Sequence, residues 1–331
     1  MKISCIGAGS WGTALALTLA DKDNEISIWD RDENVLKTIE EKRENRKYLP
    51  GVKIPENIIV KYDMEQAFEG AEMVLFAVPA QAFRSAFEKA IPYLDKKVII
   101  VNVAKGIEQG SLMRLSEIAE ELFPACNYVC LSGPSHAEEV GRKLPTTVTV
   151  ASRDRNLAKK VQDIFNTLYF RVYRHDDIIG VELGGALKNI IALGIGIAEG
   201  MKFGDNAKAA MMTRGITEMM RLGIKLGAKV ETFAGLSGVG DLIVTCTSMH
   251  SRNFRCGILI GKGIRTSEAV KEIGMVVEGI NTVEAAYALA RKLDVDMPIV
   301  ECIYAIVHDE MTAEEAVETL MTRDTKAEMR M

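Results

Sequence analysis

The chain has 331 residues, of which 48% are hydrophobic and 26% are charged, and it contains 27 glycines and 8 prolines. These values exclude disordered, collagen-like and disulfide-scaffold proteins, and the length suggests two domains. The 41 basic and 46 acidic side chains give a net charge of -5, which provides no overall attraction to nucleic acid or to an anionic membrane.

The predicted elements change character about halfway along the chain. In the first part, short β-rich runs alternate with helical patterns, which indicates a parallel sheet covered by helices. The predicted strands lie at 2–6, 25–30, 73–78, 97–103, 127–131, 146–151 and 170–173. The predicted helices of the second part lie at 180–200, 206–226, 253–260, 267–273, 281–292 and 298–308. We therefore predict an α/β parallel-sheet domain over 1–175 and an all-α domain over 176–331.

The cysteines and the apolar runs bear on the location of the protein. Six cysteines are scattered along the chain without the paired spacing of a zinc site, so we expect no metal. Unpaired thiols are typical of the cytosol, which predicts a cytoplasmic protein. The longest uninterrupted run of apolar residues and glycines, 190–198, covers half a bilayer, and the chain begins without a basic leader. We therefore expect neither a membrane span nor export.

A glycine-rich turn, GAGSWG at 7–12, directly follows the first predicted strand and precedes a helical pattern. Gly7 permits a tight turn, Gly9 lets a pyrophosphate approach the backbone, and Gly12 allows close helix packing. The N–H groups at the helix start then bind the anion. This context predicts a dinucleotide-binding site, and the alternative is a glycine-rich loop without a function.

Two neighbouring residues at the end of the second predicted strand bear on the choice of dinucleotide. Asp30 lies 18 residues beyond Gly12, where a carboxylate binds the adenosine ribose and disfavours a 2′-phosphate. Arg31 suits a 2′-phosphate or stacks on adenine, although a solvated charge also explains it. The sequence therefore predicts NAD or NADP as the cofactor and leaves the choice open.

Ligands of open parallel sheets bind beyond the carboxyl ends of the strands. Lys105 follows the predicted strand 97–103, and the loop 132–138, which contains His136, follows the next strand. Lys105 either places a cation beside a substrate carbonyl or phosphate, or is an ordinary exposed lysine before a turn. We assign no role to His136.

Polar residues in the helical part have the chemistry of proton transfer and phosphate binding. Lys188 lies in a helix rich in small residues, where burial disfavours its charged form and makes it a usable proton donor and acceptor. The alternative is that its side chain extends to water. Asp241 either caps a helix or holds a catalytic lysine. Ser251, Arg252 and Asn253 start a helix and offer phosphate ligands, although Ser251 is also explained as an N-cap.

These motifs together resemble the NAD(P)-dependent glycerol-3-phosphate dehydrogenases of the bacterial type. The resemblance covers nearly the whole chain and rests on GAGSWGTALA at 7–16, AKG at 104–106, SGPSHAEE at 132–139, ELGGALKNIIAL at 182–193, GVGDLIVTCT at 238–247, SRN at 251–253 and VVEG at 276–279. It implies a Rossmann-type NAD(P)-binding domain over 1–175 and an all-helical substrate-binding and catalytic domain over 176–331. The implied activity is the reversible, NAD(P)H-dependent reduction of dihydroxyacetone phosphate to sn-glycerol 3-phosphate for phospholipid synthesis.

The resemblance also implies roles for individual residues. Lys188 would accept the proton in glycerol 3-phosphate oxidation and donate it in the reverse reaction. The residues that would bind the substrate are Lys105, Gly133, Ser135, Lys188, Asp241, Ser251, Arg252 and Asn253. The residues that would bind the cofactor are Gly7, Gly9, Ser10, Trp11, Gly12, Arg31, Tyr48, Lys105, Ala137, Arg252, Val276 and Glu278.

Two other functions are compatible with the sequence. Another two-domain dehydrogenase, of the 6-phosphogluconate or 3-hydroxy-acid type, would share the first domain but needs different groups beyond residue 180. A non-catalytic NAD(H) sensor would share the nucleotide site, but a reactive lysine and the absence of a DNA-binding basic face argue against it. The sequence leaves open the cofactor preference, feedback inhibition by glycerol 3-phosphate and the oligomeric state, for which a homodimer is one option.

Overall fold

A computed structural model describes residues 1–325 and 327–328 of the chain. The chain folds into two compact units. The first comprises Met1–Lys105 and Leu115–Val181, and the second comprises Gly106–Arg114 and Glu182–Met331. Residues 326 and 329–331, which belong to the predicted second domain, lie outside the described residues.

The first unit contains an eight-stranded sheet and a separate two-stranded hairpin. The strands are β1 (Lys2–Ile6), β2 (Glu25–Trp29), β3 (Glu44–Asn45), β4 (Leu49–Lys53), β5 (Ile58–Val60), β6 (Met73–Phe76), β7 (Ile99–Asn102), β8 (Asn127–Ser132), β9 (Thr146–Ala151) and β10 (Phe170–His175). The order in the sheet is β10-β9-β8-β7-β6-β1-β2-β5, and β3 pairs with β4 in the hairpin. The strand order reverses between β1 and β6, which is the position where such sheets bind ligands.

Helices connect the strands of the sheet. They are α1 (Ser10–Ala20), α2 (Glu33–Lys42), α3 (Met64–Phe68), α4 (Phe83–Ala90), α5 (Leu115–Leu122), α6 (Ala137–Gly141) and α7 (Arg155–Phe165). Every residue of β6 and β7 is buried, so these central strands are covered on both faces. This burial explains their continuous apolar sequences, because a strand with one solvated face would alternate apolar and polar residues.

The structure confirms the predicted Rossmann-type sheet, in which one pair of strands is antiparallel. β9 runs antiparallel to β8, with Cys130 opposite Ala151, while β10 runs parallel to β9. The sequence analysis also missed β5 and the β3–β4 hairpin. β5 has only three residues, and β4 contains Pro50 and Gly51, which are unfavourable in a strand.

The described residues of the second unit form helices and no named β-strand. The helices are α8 (Ile178–Gly200), α9 (Gly204–Lys225), α10 (Val230–Phe233), α11 (Asp241–Thr247), α12 (Arg252–Gly261), α13 (Thr266–Ile273), α14 (Glu278–Leu293), α15 (Pro298–Val307) and α16 (Ala313–Met321). Helix α8 starts within the first unit and continues into the second. This unit confirms the predicted all-α architecture.

Helix α8 is almost entirely buried. It is long and apolar enough to cross a membrane, but 89% of its most apolar 18-residue window is buried inside the protein, as expected for a core helix. Glycines let it approach α12 closely. A Cβ atom at Gly196 would lie 2.2 Å from the Phe254 carbonyl oxygen, and one at Gly257 would lie 2.1 Å from the Leu193 carbonyl oxygen. This backbone contact fixes the helix that carries Lys188 against the helix that follows Ser251.

Candidate active site

The glycine-rich turn lies between β1 and α1 in the first unit. Gly7 has a φ of +105°, and a Cβ atom there would lie 2.7 Å from the Ala77 carbonyl oxygen. A Cβ atom at Gly12 would lie 2.0 Å from the Gly7 carbonyl oxygen. Only glycine fits at these two positions. At Gly9 no described atom outside the residue itself and its two chain neighbours lies within 4 Å of such a Cβ atom, so the space is open. The turn therefore fits a pyrophosphate.

Helix α1 begins at Ser10, within the segment 7–12, and its N-cap is Gly9. Because glycine has no side-chain oxygen to offer to the first N–H groups, these groups and the helix dipole can attract an anion. The Ser10 hydroxyl donates to the Tyr48 carbonyl oxygen at 2.7 Å, so the structure brings these two predicted cofactor residues together. Trp11 is partly buried beside them, and Arg31 is exposed beyond the end of β2.

The carboxylate of Asp30 contacts the same turn. Its Oδ2 atom accepts the N–H of Ala8 at 2.7 Å, and its Oδ1 atom accepts the N–H of Asp32 at 2.9 Å. Each carboxylate oxygen has a second lone pair, so these contacts still leave acceptor capacity for a ribose hydroxyl. Asp30 therefore has a structural task in the turn that the sequence analysis did not foresee.

A second group of predicted residues lies beyond the carboxyl ends of the neighbouring strands β7 and β8. The ammonium of Lys105 donates to the Gly133 carbonyl oxygen at 3.0 Å, and the Ser135 hydroxyl donates to the same oxygen at 2.8 Å. Gly133 has a φ of +131°, which favours glycine. Ala137 follows as the first residue of α6. Lys105 is partly buried and bonded, so it is not the exposed lysine of the alternative interpretation.

Lys188 is buried in the second unit, with an exposed fraction of 6%. Its ammonium donates to Asp241 Oδ1 at 2.7 Å and to Thr245 Oγ1 at 2.6 Å. The alternative in which the side chain extends to water is therefore wrong. Burial disfavours the charged form of the lysine, whereas the adjacent carboxylate favours it. The two contacts fix the direction of the ammonium, as proton transfer to a bound substrate requires.

Asp241 is the partner of this lysine and not a helix cap. The N-cap of α11 is Gly240, and Asp241 is the first residue inside the helix, 1% exposed.

Cys246 lies on the same helix, and burial together with the nearby Asp241 carboxylate raises its pKa to about 12, although the Lys188 charge lowers it. The thiol therefore stays neutral at physiological pH and is not a nucleophile.

The predicted phosphate ligands lie at the start of α12. Ser251 is its N-cap and accepts the N–H of Phe254 at 3.2 Å, so the capping interpretation is correct for this side chain. Arg252 is partly buried. Asn253 is buried, and its Nδ2 group donates to Asn189 Oδ1 at 2.8 Å.

The other end of the Asn253 amide connects this site to α14. Its Oδ1 atom accepts the N–H of Gly279 at 2.8 Å. Gly279 follows Glu278, the first residue of α14, and Val276 is exposed just before it. Asn253 therefore links the helix start at Ser251 to the predicted cofactor residues of the VVEG segment. It also links that helix start to Asn189, which directly follows Lys188 in the chain.

The structure adds residues that the sequence analysis missed. Thr245 contacts Lys188 and donates to the Asp241 carbonyl oxygen at 2.6 Å. It lies four residues after Asp241, and this spacing on one helix face was the available signal. Arg114 and Glu182 form a buried ion pair at 2.8 Å, which ties the segment 106–114 to α8. Their separation along the chain gave no such signal.

Comparison with known proteins identifies the family. The family model for the NAD-dependent glycerol-3-phosphate dehydrogenase N-terminus matches residues 2–158, and the model for its C-terminus matches residues 177–318. The chain is 52% identical to the glycerol-3-phosphate dehydrogenase (NAD(P)+) of Carboxydothermus hydrogenoformans, over 99% of this chain and 98% of that protein. It is 51% identical to the protein of the same name in Bacillus subtilis, over 99% and 96% of the two chains.

A solved structure shows the same likeness. The crystal structure of glycerol-3-phosphate dehydrogenase from Coxiella burnetii superimposes with a TM-score of 0.94 at 38% identity and covers 97% of this chain and 99% of its own. The chain therefore belongs to the NAD-dependent glycerol-3-phosphate dehydrogenase family.

Proposed function

We propose that the protein reduces dihydroxyacetone phosphate to sn-glycerol 3-phosphate with NADH or NADPH, in a reversible reaction that supplies phospholipid synthesis. The observation that carries this proposal is the buried Lys188, held by Asp241 and Thr245 in a chain of this family. The chemistry that a bound reduced nicotinamide supplies is a hydride for the ketone carbon. One proton on the ketone oxygen completes the alcohol, so the site must deliver that proton.

Lys188 is the proton donor in this proposal. It protonates the oxygen on which negative charge develops, and it accepts the proton when glycerol 3-phosphate is oxidised. Asp241 and Thr245 hold the ammonium in one direction, which removes the need to reorient it during the reaction. Lys105 stabilises negative charge on the substrate oxygen or the phosphate, as a fixed cation does in a partly buried site.

The phosphate and the remaining substrate atoms are bound by residues at the loop and helix starts. Arg252 binds the phosphate through its guanidinium, assisted by the hydroxyl of Ser251 and the second amide proton of Asn253. Gly133 and Ser135 contact the substrate in the first unit. These roles are supported by the family and by the local geometry at the start of α12.

The first unit binds the dinucleotide in this proposal, and the second provides the proton donor and the phosphate ligands. The glycine-rich turn binds the pyrophosphate, and the other cofactor residues named in the sequence analysis keep the roles that the resemblance implies.

We also propose a cytoplasmic location. It is supported by the six cysteines, which all lie within the described residues and carry thiols rather than disulfides, as expected in a reducing compartment.

The test is an absorbance assay of nicotinamide oxidation with dihydroxyacetone phosphate, run once with NADH and once with NADPH. We expect substrate-dependent oxidation with at least one cofactor. Lys188→Ala should lower kcat by orders of magnitude while NADH still binds. Lys208→Ala, which removes another ion-paired lysine of the second unit, is the matched control and should leave kcat unchanged.

Three outcomes would contradict the proposal. Turnover of a hydroxy acid or of 6-phosphogluconate without turnover of dihydroxyacetone phosphate would favour another two-domain dehydrogenase. NADH binding without turnover of any of these substrates would favour the sensor. Near-normal turnover by Lys188→Ala would remove the lysine from the mechanism.

A further inference from the structure

The peptide groups of Ala8, between two glycines of the turn, are held from both sides. Asp30 accepts the Ala8 N–H at 2.7 Å, and the Nδ2 group of Asn45 donates to the Ala8 carbonyl oxygen at 2.7 Å. Asn45 belongs to β3 and lies 37 positions further along the chain. The hairpin of β3 and β4 thus reaches back to the turn that follows β1.

Asn45 is buried, with an exposed fraction of 1%, and its amide is fully engaged. The Nδ2 group also donates to Thr13 Oγ1 at 2.8 Å, and Oδ1 accepts the Tyr48 N–H at 3.2 Å. The Nδ2 protons therefore have one acceptor each, and the carbonyl end has a donor. An aspartate of the same shape would instead place an oxygen against the Ala8 carbonyl oxygen, where a donor is required.

A second contact ties the same segment to the turn. The Tyr48 carbonyl oxygen accepts from the Ser10 hydroxyl at 2.7 Å, and the Tyr48 N–H is the group that Asn45 binds. The hairpin therefore holds both Ala8 and Ser10, on either side of Gly9. The Gly9 carbonyl oxygen accepts the Thr13 N–H at 3.0 Å, so the hairpin contacts at Ala8 and Ser10 add to a hydrogen bond that α1 already makes to the turn.

A glycine-rich turn needs such support because glycine has more conformational freedom to lose than any other residue. If the turn were mobile in the free protein, cofactor binding would have to order it, and the affinity would fall accordingly. We propose that Asn45 is a positioning residue that pre-organises the glycine-rich turn for the pyrophosphate of the dinucleotide. This inference rests on the proposed function, and it concerns cofactor affinity rather than the chemical step.

The test compares three variants in the full-length protein. Asn45→Ala removes the amide, and Asn45→Asp keeps its shape but replaces the donor with an acceptor. Asn24→Ala is the matched control. Asn24 is also buried in the first unit, 8% exposed, and it donates to the Leu19 carbonyl oxygen at 2.8 Å near the other end of α1. Thermal unfolding of each variant gives the loss of stability for comparison.

The readout is the Kd for NADH, measured from the fluorescence of the bound cofactor, together with steady-state kinetics. We expect both Asn45 variants to raise the Kd and the KM for NADH about tenfold, which corresponds to the loss of one or two hydrogen bonds. The KM for dihydroxyacetone phosphate, and kcat at saturating NADH, should change less than about twofold, because none of the hydrogen bonds lost involves a residue that we expect to bind the substrate. Asn24→Ala should lower the Tm but leave the Kd unchanged.

The turn can also be observed without the cofactor. In a Trp29→Phe background, Trp11 is the remaining one of two tryptophans, and the Asn45 variants should shift its emission in the free protein. Hydrogen exchange of the wild-type protein should show protection of the Ala8 and Tyr48 N–H groups, which Asp30 and Asn45 accept, and this measurement does not require the variants to fold. Free exchange of these two N–H groups in the wild-type protein would overturn the inference.

The binding data distinguish a failure of the Asn45 inference from a failure of the proposed function. Wild-type affinity in both Asn45 variants, with a wild-type protein that binds NADH, would show that Asn45 does not position the turn. An equal loss of affinity in Asn24→Ala would show that general destabilisation causes the effect, which also overturns the inference. A wild-type protein that does not bind NADH or NADPH would refute the proposed function itself.

Discussion

The ion pair between Lys188 and Asp241 allows a quantitative prediction about stability. The two charged groups lie 2.7 Å apart and are 6% and 1% exposed. Removal of one partner from a buried pair leaves an uncompensated charge and costs about 3–5 kcal/mol. We therefore expect Lys188→Met and Asp241→Leu each to lower the free energy of unfolding of the second unit by that amount.

The double variant is the sharper part of this prediction. When both charges are replaced by apolar side chains of similar size, the desolvation of the pair is removed as well, and stability is recovered or even increased. The two single effects sum to about 6–10 kcal/mol, so this sum should exceed the effect of the double variant by about 6 kcal/mol or more, which is the coupling energy of the cycle. All three variants should lose turnover, because each lacks part of the proton donor or its support.

The assay is urea unfolding of the four proteins at pH 7, followed by circular dichroism, which reports mainly the helices. Because a protein with two units can unfold in more than one transition, the transition of the helical unit is fitted separately. Single variants that each cost less than about 1 kcal/mol, with additive effects in the double variant, would show that the two groups do not form a buried ion pair.

Three further predictions concern other residues of the second unit. Burial raises the pKa of Glu218 from 4.5 to about 8, so the folded protein binds more protons than the unfolded chain between these values. The contribution of this pKa shift to stability is fully present below pH 4.5 and is lost as the pH rises to about 8. Over that range the free energy of unfolding should fall by up to about 1.4 kcal/mol per pH unit. Urea unfolding across this range should show that slope in the wild-type protein and lose it in Glu218→Gln; equal slopes would contradict the assignment. Gly257→Ala should lower the free energy of unfolding by about 3 kcal/mol, because the added Cβ atom would lie 2.1 Å from a carbonyl oxygen. The control is Gly235→Ala, where the atom nearest to the added Cβ lies at 3.3 Å, and this variant should cost far less in the same assay. Arg252→Ala should raise the KM for dihydroxyacetone phosphate about tenfold or more, because the phosphate loses its guanidinium ligand. Arg255→Ala, on the same helix, is the control and should leave this KM near the wild-type value. An unchanged KM in Arg252→Ala would show that its guanidinium does not bind the phosphate.

The elements that could be predicted from sequence are those with a local signal. The strand, turn and helix around Gly7–Gly12 follow each other directly, so composition and spacing were sufficient to identify them. The helices at 180–200 and 298–308 begin and end within two residues of the observed α8 and α15, because their apolar pattern is long and periodic. The hairpin at 44–53 has no such pattern and was missed.

Asp241 shows why the side-chain roles needed the structure. In sequence, a carboxylate after a glycine-rich loop and before an apolar run has the pattern of an N-cap, and nothing local favoured the alternative in which it holds a catalytic lysine. In the folded chain, a turn of π-helix over Leu236–Gly240 leads directly into α11, and Gly240 already has helical dihedral angles, with φ of -60° and ψ of -51°. Asp241 is therefore inside a continuous helical segment, where its carboxylate is directed at the neighbouring helix and meets Lys188.

The residues that support the site share this dependence on distant parts of the chain. Thr245 could be connected to Asp241 from their spacing, but its contact with Lys188 joins two helices. Asn45 lies in a segment without periodicity, and its contact with Ala8 exists only because the hairpin returns to the turn. A motif therefore identifies the groups that meet the ligand, whereas the side chains that hold those groups become visible only when the chain is folded. These supporting residues are the ones whose replacement should separate affinity from turnover, as Asn45 should, or stability from both, as Gly257 should.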